Sequence, residues 1–157
     1  PCGYAGDPSG RCHCSPDQIL RYRGRVSGPL LDRIDIQIEV PRQGAGALRG
    51  DGPPGESSAA VRRRVLASRA LQLARAGKVN SQLAPSEVLR DCALCARDSA
   101  LLERAIEKLG LSARAYHRIL RLARSIADLE GAEAIVTAHL SEAISYRRLD
   151  RAMERAA

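Results

Sequence analysis

The stretch from Ser112 to Gly131 constrains the fold more than any other part of the chain. Ser112 is a good N-cap, and apolar residues recur every three or four positions at Ala115, Ile119, Leu122, Ala123, Ile126 and Leu129. Gly131 then supplies a helix stop. A helix with such a stripe needs partners, and the flanking sequence repeats the same grammar. Ser57 or Ser58 caps a helix running to about Ala76, with Val61, Val65, Leu66, Ala70 and Leu73 as its apolar stripe and Gly77 as its stop. A short helix begins at Pro85 or Ser86. Another begins at Asp98 or Ser99, turns Leu102, Ala105, Ile106 and Leu109 inward, and closes at Gly110. Thr137 is expected to cap a last helix, with Leu140, Ala143, Ile144 and Arg147 on successive turns, fraying past Arg151. The sequence is 45% hydrophobic yet has no Phe, no Trp and one Met, so Leu, Ile, Val and Ala must fill the core. Small side chains favour helices that approach closely. The predicted fold is therefore mainly α, a four- or five-helix bundle from Ser57 to about Arg151.

The first forty residues have a different pattern. Ser15-Pro16 fits the start of a helix, with Ile19, Leu20, Tyr22 and Val26 on its apolar side and Gly24 weakening it. Then Ile34-Asp35-Ile36-Gln37-Ile38-Glu39-Val40 alternates apolar and polar at period two, the pattern of a half-buried strand. Gly28-Pro29 and Leu30-Leu31 form a stiff corner ahead of it, which holds Arg33 at the strand lip between Asp32 and Asp35. An arginine there can reach into a neighbour or make a local ion pair. The run from Pro41 to Gly55 is aperiodic and rich in glycine and proline, the composition of a linker. The expected organisation is a remnant of an α/β domain over 1–45, a linker over 46–56 and a helical domain over 57–157. Arg49-Gly50-Asp51 is a chance tripeptide in a chain that has no secretion signal.

Charge and cysteines bound the chemistry. The formal net charge of +7 points to a polyanionic partner, although the basic residues are dispersed among acids and only Lys78 and Lys108 are lysines. Arg21, Arg23 and Arg25 are expected on a solvated face, and Arg118, Arg121 and Arg124 on an exposed side. Five cysteines without a secretion signal argue for reduced thiols or metal, and for a cytoplasmic protein. Cys2, Cys12 and Cys14 lie in a loop poor in apolar residues, where thiolates could gather around one Zn²⁺; three of them are one short of a closed structural site. Cys92 and Cys95 fit better as small core side chains beside Leu89 and Leu94 than as a redox pair. No apolar run approaches the ~20 residues that cross a bilayer. Gly77-Lys78 lacks both the glycine-rich lead and the following Ser or Thr of a phosphate loop. His117 has no partner pattern and is expected on the surface or in the core.

Three segments together resemble one family. SGPLLDRID (Ser27 to Asp35) resembles the arginine-finger segment of magnesium-chelatase-type AAA+ ATPases. GLSARAYHRILRLARSIADLEG (Gly110 to Gly131) resembles the sensor-2 helix of the same family. The opening PCGYAGDPSGRCHCSPDQILRYRGR is similar to the cysteine-bearing segment of its competence-associated, ComM-type branch. The resemblance implies a ring, usually hexameric, of copies that hydrolyse ATP with Mg²⁺ and work on DNA. It implies that Arg33 acts in trans on the γ-phosphate of an adjacent subunit, that Arg114 binds nucleotide from the lid, and that Arg21, Arg23 and Arg25, near the pore of such a ring, are candidate DNA contacts. It also implies a further cysteine upstream to complete the metal set, so the chain reads as a C-terminal piece of a longer protein.

Residues of the phosphate loop and of the acidic metal-binding strand are absent from this sequence, so the chain alone is expected neither to bind ATP tightly nor to hydrolyse it. The strand Ile34 to Val40 is expected to have unpaired edges, with residues 1 to 45 disordered, mispaired with a neighbouring copy, or loosely packed. Alternatives are a magnesium-chelatase subunit serving porphyrin metallation, a helical module that binds DNA without nucleotide, and a purely structural assembly domain.

Overall fold

A computed structural model of the chain describes residues 2–7, 9–38, 40, 49 and 55–147. The chain divides into two units, Pro1–Pro53 with Arg148–Ala157, and Pro54–Arg147. Most of the linker read in the sequence, and the fraying expected past Arg151, lie outside the described residues.

In the first unit, α1 (Pro16–Arg23) starts as its sequence demands. Ser15 Oγ accepts from the Gln18 N–H at 3.3 Å while Gln18 Oε1 accepts from the Ser15 N–H at 3.0 Å, a reciprocal cap. It ends at Gly24, so Val26 lies beyond the helix. A single turn, α2 (Gly28–Leu31), begins with proline in its first turn. Neither helix has a buried residue. No strand forms over the described part of Ile34 to Val40, and its polarity is inverted. Ile36, Ile38 and Val40 are 49%, 68% and 75% exposed, whereas Gln37 is buried. A strand's hydrogen-bonding edges and apolar face are satisfied only by neighbouring strands. Among the described residues no strand lies beside it.

The second unit is the expected helical bundle. Its elements are α3 (Ser58–Ala76), a 3₁₀ turn (Asn80–Gln82), α4 (Pro85–Asp91), α5 (Ala96–Leu109), α6 (Ala113–Glu130) and α7 (Thr137–Ser145). The local signals sit where they were read. Ser57 Oγ caps α3 and Ser112 Oγ caps α6, accepting from the N–H groups of Ala60 and Ala115. Gly77, Gly110 and Gly131 stop three helices at φ of +67°, +59° and +73°, a left-handed conformation that costs a residue bearing Cβ. Two starts differ. Helix α5 begins at Ala96 with Cys95 as its N-cap, ahead of the expected Asp98. The N-cap of α7 is Val136, whose N–H donates to His139 Nδ1 at 3.1 Å. Thr137 instead donates to the buried Asp98 at 2.6 Å, tying α7 to α5.

Helix α6 is the centre, packed against α3, α4, α7 and the 3₁₀ turn. Its Ile119, Leu120, Ala123 and Ala127 are almost wholly buried against Leu83, Val88, Leu102 and Leu140. The fully buried Ala115, Ala123, Ala127 and Ala143 allow the close approach that a core without Phe or Trp requires. The end of one expected stripe and the whole of another are not covered. Leu129 is 45% exposed, and on α3 Val61, Val65, Leu66 and Leu73 are all exposed, with Ser68 the buried residue.

Candidate functional site

Three groups singled out in the sequence are placed by quite different means. Arg33 follows directly on α2. The turn continues through Arg33 N–H to Leu30 O and Ile34 N–H to Leu31 O, both 3.0 Å. One guanidinium nitrogen of Arg33 folds back to donate to Pro29 O at 2.7 Å, so the corner that proline stiffens also orients the arginine. Its side chain is exposed.

Arg114 is exposed in the first turn of α6, just after the Ser112 cap. Its helix is about 27 Å long at the usual rise per residue. Beside Arg114, Ala113, Tyr116 and His117 form an open cleft with Glu103, Ile106 and Glu107 of α5. The Tyr116 and His117 rings meet edge to face, with centroids 5.4 Å apart. His117 Nδ1 is buried without a partner among the described residues.

The far end of α6 is anchored by a charge cluster that sequence reading missed. Asp128, with its side chain fully buried, is held in a fork by Arg75 of α3. It also accepts from Asn80 Nδ2 at 2.8 Å and from Arg124 Nε at 3.1 Å. Arg124 spends its remaining donors on Ala132 O at 2.6 Å and Glu133 O at 2.9 Å, two carbonyls past the end of the helix. The expectation that Arg124 lies on an exposed side is therefore wrong; it is 3% exposed. Arg121 is half-buried and donates to Leu83 O at 2.5 Å. Periodicity hinted at this, since Arg124 is flanked by the core positions Ala123 and Ala127, and a charge there demands a partner. Which carboxylate would serve was not readable: Arg75 and Asp128 are 53 positions apart.

Cys2, Cys12 and Cys14 do come together. Their sulfurs all lie within 4.8 Å of one another, and those of Cys2 and Cys12 are 3.7 Å apart. Zn–S bonds of about 2.3 Å in a tetrahedron set sulfurs about 3.8 Å apart, so the donor set fits zinc. Glycines at positive φ (Gly3, Gly6 and Gly10) turn the loop back on itself. Backbone N–H groups point at the sulfurs, with that of Tyr4 3.5 Å from the Cys2 sulfur. The Cys2 N–H, then the Cys2 side chain, lower the Cys14 thiol to about 7. Against the lowering pull of the Cys14 N–H, the Cys2 sulfur raises the Cys12 thiol. His13 does not belong to the cluster.

The other cysteine pair divides. Cys92 is core, 1% exposed, and burial pushes its thiol up to about 11. Cys95 was expected in the core too, but it is exposed at the start of α5, with its sulfur 3.4 Å from Asp98 Oδ2. Helix geometry explains the split, since Cys95 precedes α5 rather than sharing a helix face with Cys92. Arg21, Arg23 and Arg25 are exposed around α1, and Arg25 lies over the Tyr22 ring at 6.0 Å.

A helical module with an exposed arginine on the first turn of its central helix, joined in sequence to a cysteine loop and an arginine-bearing corner, defines a class that the comparisons identify. The chain belongs to the magnesium chelatase, subunit ChlI C-terminal family, whose model matches residues 55–147; the model of magnesium chelatase, subunit ChlI matches residues 1–48. It is 51% identical over 141 residues to the competence protein ComM of Haemophilus influenzae, covering 90% of this chain and 28% of that protein. It is 46% identical over 138 residues to the uncharacterized protein YifB of Escherichia coli, covering 88% of this chain and 27% of that one. The chain thus spans under a third of the length of these relatives. No helix among the described residues is long and apolar enough to cross a membrane.

Proposed function

We propose that this chain is the lid-bearing part of a ring-forming AAA+ ATPase that couples hydrolysis of Mg²⁺-bound ATP to the remodelling of DNA, of the branch-migrating kind. The observation that carries the reading is the likeness to the competence protein over nine-tenths of the chain, with Arg33 and Arg114 both exposed. Arg33, oriented by Pro29, reaches from one copy to the γ-phosphate of nucleotide held by its neighbour. Its planar fork neutralises the charge that develops on the transferred phosphoryl group. Arg114 bonds the same nucleotide from the lid. Because the Asp128 cluster anchors the other end of α6, a displacement of Arg114 tilts the helix as a unit and carries nucleotide state into the bundle. DNA is the polyanion that the +7 charge suits, with Arg21, Arg23 and Arg25 as its contacts.

The same proposal assigns Cys2, Cys12 and Cys14 to one structural Zn²⁺. Zinc would supply no chemistry to the hydrolysis; it would order a loop that has no core of its own.

The test uses the full-length protein. Arg33→Ala should lower ATP turnover by about 10³ to 10⁵ while sparing nucleotide affinity. Arg114→Ala should weaken both. Turnover unchanged in Arg33→Ala would remove Arg33 from the reaction. The isolated chain should show no turnover above background. Branch migration of a three-stranded DNA joint, driven by ATP, separates this reading from a porphyrin-metallating subunit, which would leave the joint untouched.

A further inference from the structure

Positive charge is concentrated in one element. Helix α3 carries Arg62, Arg63, Arg64, Arg69 and Arg75 and no Asp or Glu, so five of the chain's seven net positive charges reside in it. Two of the five are already neutralised, Arg75 by the buried Asp128 and Arg64 by Glu56 at 2.6 Å. Arg62, Arg63 and Arg69 are exposed, and no carboxylate among the described residues bonds them.

Their placement around the helix is ordered. The side of α3 that meets the bundle is marked by Ser68, Gln72 and Arg75, which bond one another or Asn80 and Asp128. On the opposite side Ala59, Leu66, Ala70 and Leu73 fall within about 60° of arc, and all four are exposed. Arg62 and Arg69, about two turns apart, flank this crest on one side, and Arg63 flanks it on the other. No residue from Ser58 to Ala67 is buried, so about 15 Å of helix stands clear of the core.

We propose that this ridge is a contact for duplex DNA, with α3 seated in a major groove, its crest toward the bases and its arginines on the phosphates of both strands. The inference rests on the DNA reading made above and adds a surface to Arg21, Arg23 and Arg25. A helix with its side chains is about 10–12 Å across and the groove about 12 Å wide. Guanidinium groups on either flank reach phosphate oxygens, the contacts that position a protein on a duplex. The crest offers the base edges only methyl and aliphatic groups, so the contact is indifferent to sequence. An activity that moves along DNA needs that indifference. Two such ridges brought face to face would oppose like charges, which disfavours a second copy as the occupant.

The experiment titrates the full-length protein, without nucleotide, into a fluorescent duplex of about 20 base pairs and follows anisotropy as KCl is raised. Arg62→Gln, Arg63→Gln and Arg69→Gln combined should flatten the slope of log K against log[KCl] by about 2 to 3 and weaken binding about 10²-fold at roughly 0.1 M salt. The same three positions changed to Lys should keep the slope, because a point charge suffices for a phosphate. Leu66→Glu, at an exposed position, should weaken binding while the thermal unfolding midpoint holds. Duplexes of unrelated sequence should bind within a few-fold of one another. No binding of DNA by the parent protein would overturn the DNA reading, and this inference with it. Binding with one slope shared by the parent and the Gln variant would overturn the ridge alone. So would a parent oligomer that Leu66→Glu dissociates, which would give the ridge to a second copy, or binding to phosphatidylserine vesicles that DNA fails to displace.

Discussion

The two units solve the problem of order by opposite means. From Ser57 to Arg147 the chain surrounds one helix with others and buries Leu102, Ile119, Leu120 and Leu140 almost completely. From Cys2 to Val40 it buries almost nothing apolar; its order comes from caps, glycine turns, a proline corner and three converging sulfurs. Hydrophobic burial is worth about 25 cal/mol per Å² and is shared by the whole core, so the bundle's stability is collective, unlike that of the cysteine-bearing segment. Each device in that segment acts over a few residues. The candidate functional groups follow the same division. Arg114 is carried by a packed helix and Arg33 by a local turn.

The comparison can be broken or sharpened by measurement, and the largest expected effect is chemical. In metal-free protein the Cys14 thiol is lowered to about 7 and the Cys92 thiol pushed up to about 11, so at neutral pH Cys14 carries the larger thiolate fraction by roughly 10³ to 10⁴. Alkylation followed by peptide mass spectrometry should label Cys14 with a midpoint near pH 7 and leave Cys92 unlabelled. Equal labelling would mean that the bundle opens as readily as the loop. The linkage signs are opposite. The folded value of Cys14 lies below the ordinary thiol value of 9.0, so its contribution to stability is present above that value and is lost as pH falls through about 7. The folded value of Cys92 lies above 9.0, so its contribution is complete below 9.0 and is lost as pH rises toward about 11.

Next in size is Asp128→Ala. It leaves Arg124 and Arg75 facing a gap in a buried cluster, and the cost of uncompensated charge is about 3–5 kcal/mol. Urea denaturation followed by circular dichroism should show the midpoint collapse; a shift no larger than that of a surface variant would mean that water takes the place of the carboxylate. Leu120→Ala, at a 2% exposed position, should cost about 2–5 kcal/mol in the same assay. Gly77→Ala should cost about 1–2 kcal/mol, because φ of +67° is strained for a residue with Cβ although the space around it is open. Smallest is Ile36→Ser, where a residue 49% exposed should change stability by no more than about 0.5 kcal/mol. A large loss there would mean that the strand pattern is covered after all.

Much of the helical unit was legible because its signals are local. A serine hydroxyl meets an N–H three residues on, and a glycine adopts positive φ where the helix stops. The cysteine trio was legible as a composition, and the corner before Arg33 as a proline position. What failed concerned coverage. Val61, Val65, Leu66 and Leu73 share helical spacing, and Ile34, Ile36 and Ile38 share strand spacing, yet all are at least 37% exposed. Spacing tells which residues point the same way, but another part of the structure must supply what they point at.

The sequence by itself determined most helix starts and stops and that the core would be aliphatic and close-packed, and it singled out Arg33, Arg114 and the cysteine trio as candidates. Only the tertiary structure decided that Arg124 and Asp128 are interior while the α3 stripe is not. It alone brought Arg75 to Asp128 across 53 residues and set three sulfurs within 4.8 Å. The reason is one of range: capping and backbone strain are settled within a turn, whereas burial and charge pairing depend on which distant surfaces meet.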